Sequence, residues 1–230
     1  MRSPCLRTPA RGAPCRLDGD GPHEIRAIPI VHCETDRVPQ YNHNEHYRGL
    51  LLRQMPIHCD SALDIGCADG ALSRHIAQRC SVVVGIDANR PVIGVARNRT
   101  TDPSIEYIEG DFLTHQFGGA RFDFISMVAS IHHMSFAAAL ERASGHLRPG
   151  GVLAVLGVFR ERRADLPYSA AAVPINAFLA ARRGWSDPGA PIRSPDMTLP
   201  EIRAAAKALL PDVRIRRLLL WRYLLSWRHI

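Results

Sequence analysis

Ala62-Leu-Asp64-Ile-Gly66-Cys67-Ala68-Asp69-Gly70 decides how this chain is read. The apolar run Ala62–Ile65 predicts a strand, glycines cut it, and Ala71–Arg79 follows with helical spacing. A strand that turns on glycine into a helix brings backbone close to a ligand and points the helix's free N–H groups at an anion. Outward from this turn the alternation repeats. Val82–Ile86 is a β-branched strand, and a helix opens near Asn89 with Pro91 in its first turn, where a missing N–H costs little. Ile105–Ile108 and Phe122–Val128 are further strands. Ser135 stands where it caps a helix running through Leu147, Pro149-Gly150-Gly151 ends that helix, and Val152–Phe159 is the next strand.

Strands separated by helices imply right-handed crossovers and an α/β fold, Rossmann-like and doubly wound, with a mostly parallel sheet covered by helices on both faces. Ligands in such sheets bind beyond the carboxyl ends of the strands. Tyr41–Met55, with Tyr47, Leu50, Leu51 and Leu52 near helical spacing, predicts a helix ahead of the first strand, stopped by Pro56. Residues 1–36 are rich in Pro, Gly, Arg and Cys without periodicity and read as a disordered tail, leaving 37–230 as the domain. Within it, 161–198 reads as an insertion. Its Ala-rich run Ser169–Ala181, broken by Pro174, predicts a short two-piece helical cap, with Tyr168, Asn176, Phe178 and Trp185 lining an acceptor pocket. Thr198-Leu-Pro-Glu201 has capping-box spacing for a helix that ends at Pro211. Val213–Trp227 then reads as one bent strand or a tight pair.

A chain of 230 residues with 46% hydrophobic content suits one well-buried domain. No apolar run approaches the ~20 residues of a membrane span, and the start of the chain lacks the apolar core of a secretory signal. The six cysteines form no CxxC pair and read as free thiols, which places the protein in a reducing, cytoplasmic compartment. The net charge of +7 sits at the ends. Four Arg against two Asp give +2 in residues 1–20, and six Arg with Lys207 against Glu201 and Asp212 give +5 in 201–230. The body between them is neutral, so the charge does not mark a nucleic-acid-binding face.

Acids after successive strands sharpen the reading. Asp87 ends the second strand twenty-one residues after Gly66, where a carboxylate accepts both hydroxyls of a ribose. Asp64 precedes the glycines, where it would repel a pyrophosphate and attract an ammonium. In dinucleotide register, Gly66-x-Ala68-x-x-Ala71 keeps one glycine of three. Glu109-Gly-Asp111-Phe112 closes the third strand with an acceptor for an exocyclic amine beside an aromatic face for a purine. S-adenosylmethionine, with its ammonium, carboxylate, ribose and adenine, satisfies all of these.

With these pieces the sequence resembles the class I S-adenosylmethionine-dependent methyltransferases, in the small free-standing branch that acts mostly on small molecules. Alongside the strand-end motifs already quoted, Phe122-Asp-Phe-Ile-Ser-Met-Val-Ala-Ser-Ile-His132-His133-Met and Leu147-Arg-Pro-Gly-Gly151 carry the likeness over residues 41–160. The resemblance implies a seven-stranded sheet, with Asp64, Gly66, Cys67 and Ala68 at the methionine moiety and Asp87 and Ala88 at the ribose. It also implies Asp111 and Phe112 at adenine and main chain near Met127 and Val128 at the amino acid. Ala68 departs from the family's usual glycine and is tolerated if its φ stays negative.

Methyl transfer is in-line displacement from a sulfonium, so the protein mainly positions the reactants. A general base is needed only for a protonated acceptor, and His133 and His132, just past the fourth strand, are the candidates. Tyr47 is placed to face the sulfonium from the preceding helix. His43 and His46 are three apart but have no third ligand, so no metal is expected. An RNA-directed enzyme is disfavoured: Val128-Ala-Ser-Ile-His132 stands where a Pro-Pro-aromatic grip on a flipped base would be, with no Pro-Cys pair in that loop. A nicotinamide oxidoreductase is disfavoured by Asp64 and the missing glycines. A binding protein using the fold for non-methylating chemistry is the remaining alternative. The expected partners are a small-molecule acceptor and at most a second copy of the chain.

Overall fold

β-branched and aliphatic runs buried on both faces make the strands, as parallel sheets require. The computed structural model describes residues 42–183 and 193–230. Its elements are α1 (His43–Leu52), β1 (Ser61–Ile65), α2 (Ala71–Ala77), β2 (Val82–Asp87), α3 (Arg90–Asn98), β3 (Ile105–Glu109) and β4 (Phe122–Val128). They continue with α4 (Phe136–Gly145), β5 (Leu147–Val158), α5 (Leu166–Arg183), α6 (Leu199–Leu209), β6 (Arg214–Arg217) and β7 (Arg222–Arg228). One seven-stranded sheet has the order β3-β2-β1-β4-β5-β7-β6. β1 to β5 pair in parallel, and β7 runs antiparallel between β5 and β6. The order reverses between β1 and β4, which makes their carboxyl ends the switch point where a ligand crevice opens.

α1 and α2 cover one face through Leu51 and Ile76, which pack on Ala62, Val83, Phe124 and Leu156. α4 and α6 cover the other through Leu140, Ala143, Ile202 and Ala206 on Leu63, Ile125, Leu153 and Leu225. α3 packs through Ile93 and Ala96 against Cys67 and Tyr107. No helix among the described residues is long and apolar enough to cross a membrane.

Two local expectations are corrected, and one alternative is decided. Pro149-Gly150-Gly151 does not lie between helix and strand; α4 ends at Gly145 and the three residues fall inside β5. The register slips between Phe122↔Leu147 and Phe124↔Val152, so the proline sits in a bulge that needs no ladder donor. Gly150 donates there to the His229 carbonyl (2.8 Å) with a φ of +80°. The cap segment is one helix rather than two, because Pro174 forfeits a single bond to the carbonyl four residues back and alanines on either side carry the helix through. The last segment is a hairpin, in which Leu220 and Trp221 both adopt left-handed backbone (φ +56° and +58°). Trp185 and Tyr41 lie outside the described residues.

Candidate active site

Three loops at the carboxyl ends of β1, β2 and β4 are fastened to one another. Gly66 (φ +73°) must be glycine, since a Cβ there would lie 2.3 Å from the Ser130 Cβ. Ser130 in turn donates its hydroxyl to the Ile65 carbonyl (2.8 Å), tying the β4 loop to the end of β1. Gly70, the residue before α2, has a φ of +77° and backs onto the Tyr107 hydroxyl. Asp87 joins the β1 loop to the β2 loop: Oδ2 accepts from the Ala68 amide (3.0 Å) and Oδ1 from the Asn89 amide (2.9 Å). Ala68 itself is left-handed (φ +48°), against the expected negative φ. The bond to Asp87 holds its amide, and a methyl side chain keeps the cost of that conformation to about 1–2 kcal/mol.

Asp64 is placed differently from a carboxylate open to a ligand. It is 1% exposed and accepts from Ser73 Oγ (2.7 Å) and Ser126 Oγ (2.9 Å). Burial pushes its carboxyl up to about 6, opposed by the two serine bonds and aided by Asp87. Asp64 therefore braces β1 against α2 and β4 and acts on the crevice as a charge beneath the loop. Cys67 turns its side chain away into the α3 contact, and burial, with Asp64 and Asp87 nearby, pushes its thiol well above the ordinary value. Only its main chain faces the loop.

Past β3, Asp111 is exposed and accepts from the Leu113 amide (2.8 Å). The Phe112 ring does not offer the expected purine face; it is 3% exposed, packed in the core, with the Arg142 guanidinium 5.6 Å from its centroid. Ala88 is exposed directly after β2. Met127 is buried and Val128 half-buried at the end of β4. Ala129 then turns left-handed (φ +50°) and donates to the Leu156 carbonyl (2.8 Å).

The two histidines separate. His133 is exposed. His132, half-buried with its ring 4.1 Å from that of His133, has a buried Nδ1 with no hydrogen-bond partner among the described residues. Burial first, then the charges of His133, Arg222 and Arg193, holds it down at about 4, so the ring is neutral at pH 7. Tyr47 donates to the Leu219 carbonyl (2.8 Å), which aims it at the β6–β7 turn. There α1, α5 and the turn flank an open cavity of about 490 Å³ lined by Tyr47, Ile175, Phe178, Leu179, Leu219 and Leu220. His43 meets Asn176 of α5 (2.8 Å) and the Trp221 ring, so it fastens the cavity's walls together. Among the described residues no group of three or more His, Cys, Asp or Glu is placed to hold a metal.

Sequence reasoning missed the serines. Ser126 is the one polar residue facing inward in the apolar run of β4, and that interruption was the available signal; Ser73 and Ser130 carried none. The crevice fits S-adenosylmethionine by its chemistry. Glycine at 66 lets the β1 and β4 loops close on each other at the switch point, carboxylates stand at the end of β2 (Asp87) and just past β3 (Asp111), and Asp64 supplies negative charge below.

Known proteins agree with this geometry. A family model described as methyltransferase domain matches residues 63–155. An uncharacterised methyltransferase of Mycobacterium tuberculosis is 35% identical over 191 residues, covering 82% of this chain and 96% of the relative. The cypemycin N-terminal methyltransferase of a Streptomyces species is 31% identical over 42% of this chain and 41% of its own length. Among solved structures, the N-methyltransferase NodS of Bradyrhizobium japonicum bound to S-adenosylhomocysteine has a TM-score of 0.56 at 18% identity, over 80% of this chain and 86% of that one. A Listeria monocytogenes protein, solved as an S-adenosylmethionine-dependent methyltransferase, reaches 0.60 at 14% identity over 81% and 98%.

Proposed function

The chain belongs to the class I S-adenosylmethionine-dependent methyltransferases, and from that premise we propose that it methylates an O, N or C atom of a small-molecule acceptor. The observation that carries the proposal is the cavity between α1, α5 and the β6–β7 turn. Its volume of about 490 Å³ falls in the range of small-ligand sites, about 300–1,000 Å³, and its walls are mainly aliphatic and aromatic. It lies beyond the carboxyl end of β5, because Val158 pairs with Arg222 and the turn continues from there. That is the side of the sheet on which the cofactor loops stand.

The cofactor supplies a methyl group on a sulfonium, ready for in-line displacement. The chain's part is to hold and orient. Asp87 and Asp111 would take the ribose and adenine polar groups, the main chain of the Gly66 turn would meet the amino-acid end, and Asp64 would favour its ammonium. Tyr47, on the wall of the cavity, would face the acceptor. Where the acceptor arrives protonated, the exposed His133 ring would take its O–H or N–H proton, and His132, neutral and with Nδ1 buried beneath it, would back that ring at 4.1 Å.

Calorimetric titration with S-adenosylhomocysteine, with NAD as control, tests the cofactor crevice; micromolar binding of the first and none of the second is expected. Transfer of tritiated methyl to a mixed metabolite extract and, separately, to total RNA tests the acceptor. Label in the small-molecule fraction supports the proposal, and label confined to RNA overturns it.

A further inference from the structure

We propose that Cys59 and Cys80 are a vicinal dithiol that a two-electron thiol oxidant closes into a disulfide at the amino edge of the sheet. The two residues stand in the segments that lead into the neighbouring parallel strands β1 and β2. Ser61 pairs with Val82, and each cysteine lies two residues before its member of that pair. The Ser81 amide reaches the Cys59 carbonyl (3.3 Å) and the Val82 amide the Asp60 carbonyl (3.0 Å), so the chains are already side by side where the cysteines sit. Adjacent strands run about 4.8 Å apart, inside the Cα spacing of about 4.4–6.8 Å that a disulfide needs. Both side chains pack into one cluster with Leu51, Met55 and Ile76, the Cys59 thiol donating to the Ser61 carbonyl (3.8 Å) and the Cys80 thiol to the Val82 carbonyl (3.6 Å).

The pair is polarised. The neighbouring Cys59 side chain, with backbone groups of Val82 and Ser81, lowers the Cys80 thiol against the opposing effects of burial and Asp123, while Cys59 is pushed up. Cys80 is thus the attacking thiolate and Cys59 the resolving thiol. They are 7% and 5% exposed, but His58, Asp60, Arg79 and Ser81 beside them are exposed, so the pair lies one residue below the surface. Cys67 has no such arrangement: its thiol is buried and pushed up.

With hydrogen peroxide the step balances. The Cys80 thiolate attacks one oxygen, the O–O bond breaks, and the departing hydroxide takes the Cys59 proton to give water. The Cys59 thiolate then attacks the Cys80 sulfenic acid, and the second hydroxide takes up the proton that Cys80 first released. Two thiols and one peroxide become a disulfide and two waters. The new bond encloses α2 at the edge opposite Gly66 and Asp87, so it constrains the unfolded chain and leaves the cofactor loops in place.

The full-length protein is treated with peroxide, alkylated, and digested with trypsin and Asp-N, which separates Cys59 from Cys67 at Asp60 and Asp64. The expected product is a reducible cross-linked peptide pair containing Cys59 and Cys80. It is accompanied by a rise in Tm of about 5–10 °C and by affinity for S-adenosylhomocysteine unchanged within about twofold. Recovery of both residues as alkylated thiols, links to other cysteines instead, or Cys80 carried to sulfinic acid without a link would each overturn the proposal. Cys80→Ser must abolish the peroxide-dependent rise in Tm, and its persistence would overturn it as well.

Discussion

At the scale of single residues, the cofactor crevice depends on contacts too close to tolerate an added atom. Gly66→Ala places a methyl 2.3 Å from the Ser130 Cβ on backbone at φ +73°, so both space and conformation oppose it. We expect at least tenfold weaker S-adenosylhomocysteine binding by calorimetry. Adding Ser130→Gly should recover part of the loss, because it removes the clash while the backbone strain stays; an unrecovered double variant would mean that the strain alone decides. Asp87→Asn tests the carboxylate that ties two loops together. Its Oδ1 and Oδ2 accept from backbone amides, and an asparagine can serve only one of them. Binding should fall tenfold or more, with about 1–2 kcal/mol lost from urea unfolding. An unaltered affinity would remove Asp87 from the ribose.

At the scale of elements, one guanidinium ties the start of α5 to the sheet. Arg217 donates to Asp165 Oδ1 (2.5 Å), lies 3.9 Å from the Tyr168 ring centroid and 5.2 Å from that of Phe159, and so joins β6 to the start of the helix and the end of β5. Arg217→Met keeps the stem and removes the charge, leaving Asp165 with Arg162 alone. We expect a loss of about 2 kcal/mol, a raised acceptor KM, and unaltered binding of S-adenosylhomocysteine. Equal losses for both ligands would show that α5 does not serve the acceptor side. The elements themselves were legible to different degrees. β1 to β4 fall within about a residue of the bounds set by their apolar runs; in β1 and β4 burial on both faces leaves no other pattern, while the edge strand β3 was read from Ile105, Tyr107 and Ile108. Pro149-Gly150-Gly151 misled, since turn residues mark a bulge as well as a helix end, and only the pairing to β4 and residue 229 tells which. The left-handed Ala68 was likewise hidden, because what fixes it is a carboxylate nineteen positions on. The position of Asp87 and Asp111 at strand ends was readable, whereas the burial of Asp64 and of Phe112 was not, since a sequence does not say on which side of a strand end a side chain is packed.

At the scale of the whole molecule, two buried titratable groups set opposing slopes in stability. Asp64 titrates near 6 in the fold against an ordinary 3.8. Its folded value is raised, so its contribution is fully present below about 3.8 and is lost as pH rises through about 6, by roughly 3 kcal/mol in total. His132 does the reverse. Its folded value, about 4 against 6.5, is lowered, so its contribution is present above 6.5 and is lost as pH falls toward 4. Between pH 4 and 6 the two offset each other, and these sites leave the profile nearly flat. Removing either exposes the other. Asp64→Asn keeps bonds to Ser73 and Ser126 without the charge, so its stability relative to the parent should climb from pH 4.5 to 6.5. His132→Asn should give a protein whose relative stability declines over the same interval. Urea unfolding of the three proteins at pH 4.5, 5.5 and 6.5 checks this, since titrations common to all of them cancel in the differences. Parallel curves would mean that neither group is buried as described, and Asp64 would then be free to meet the cofactor's ammonium directly.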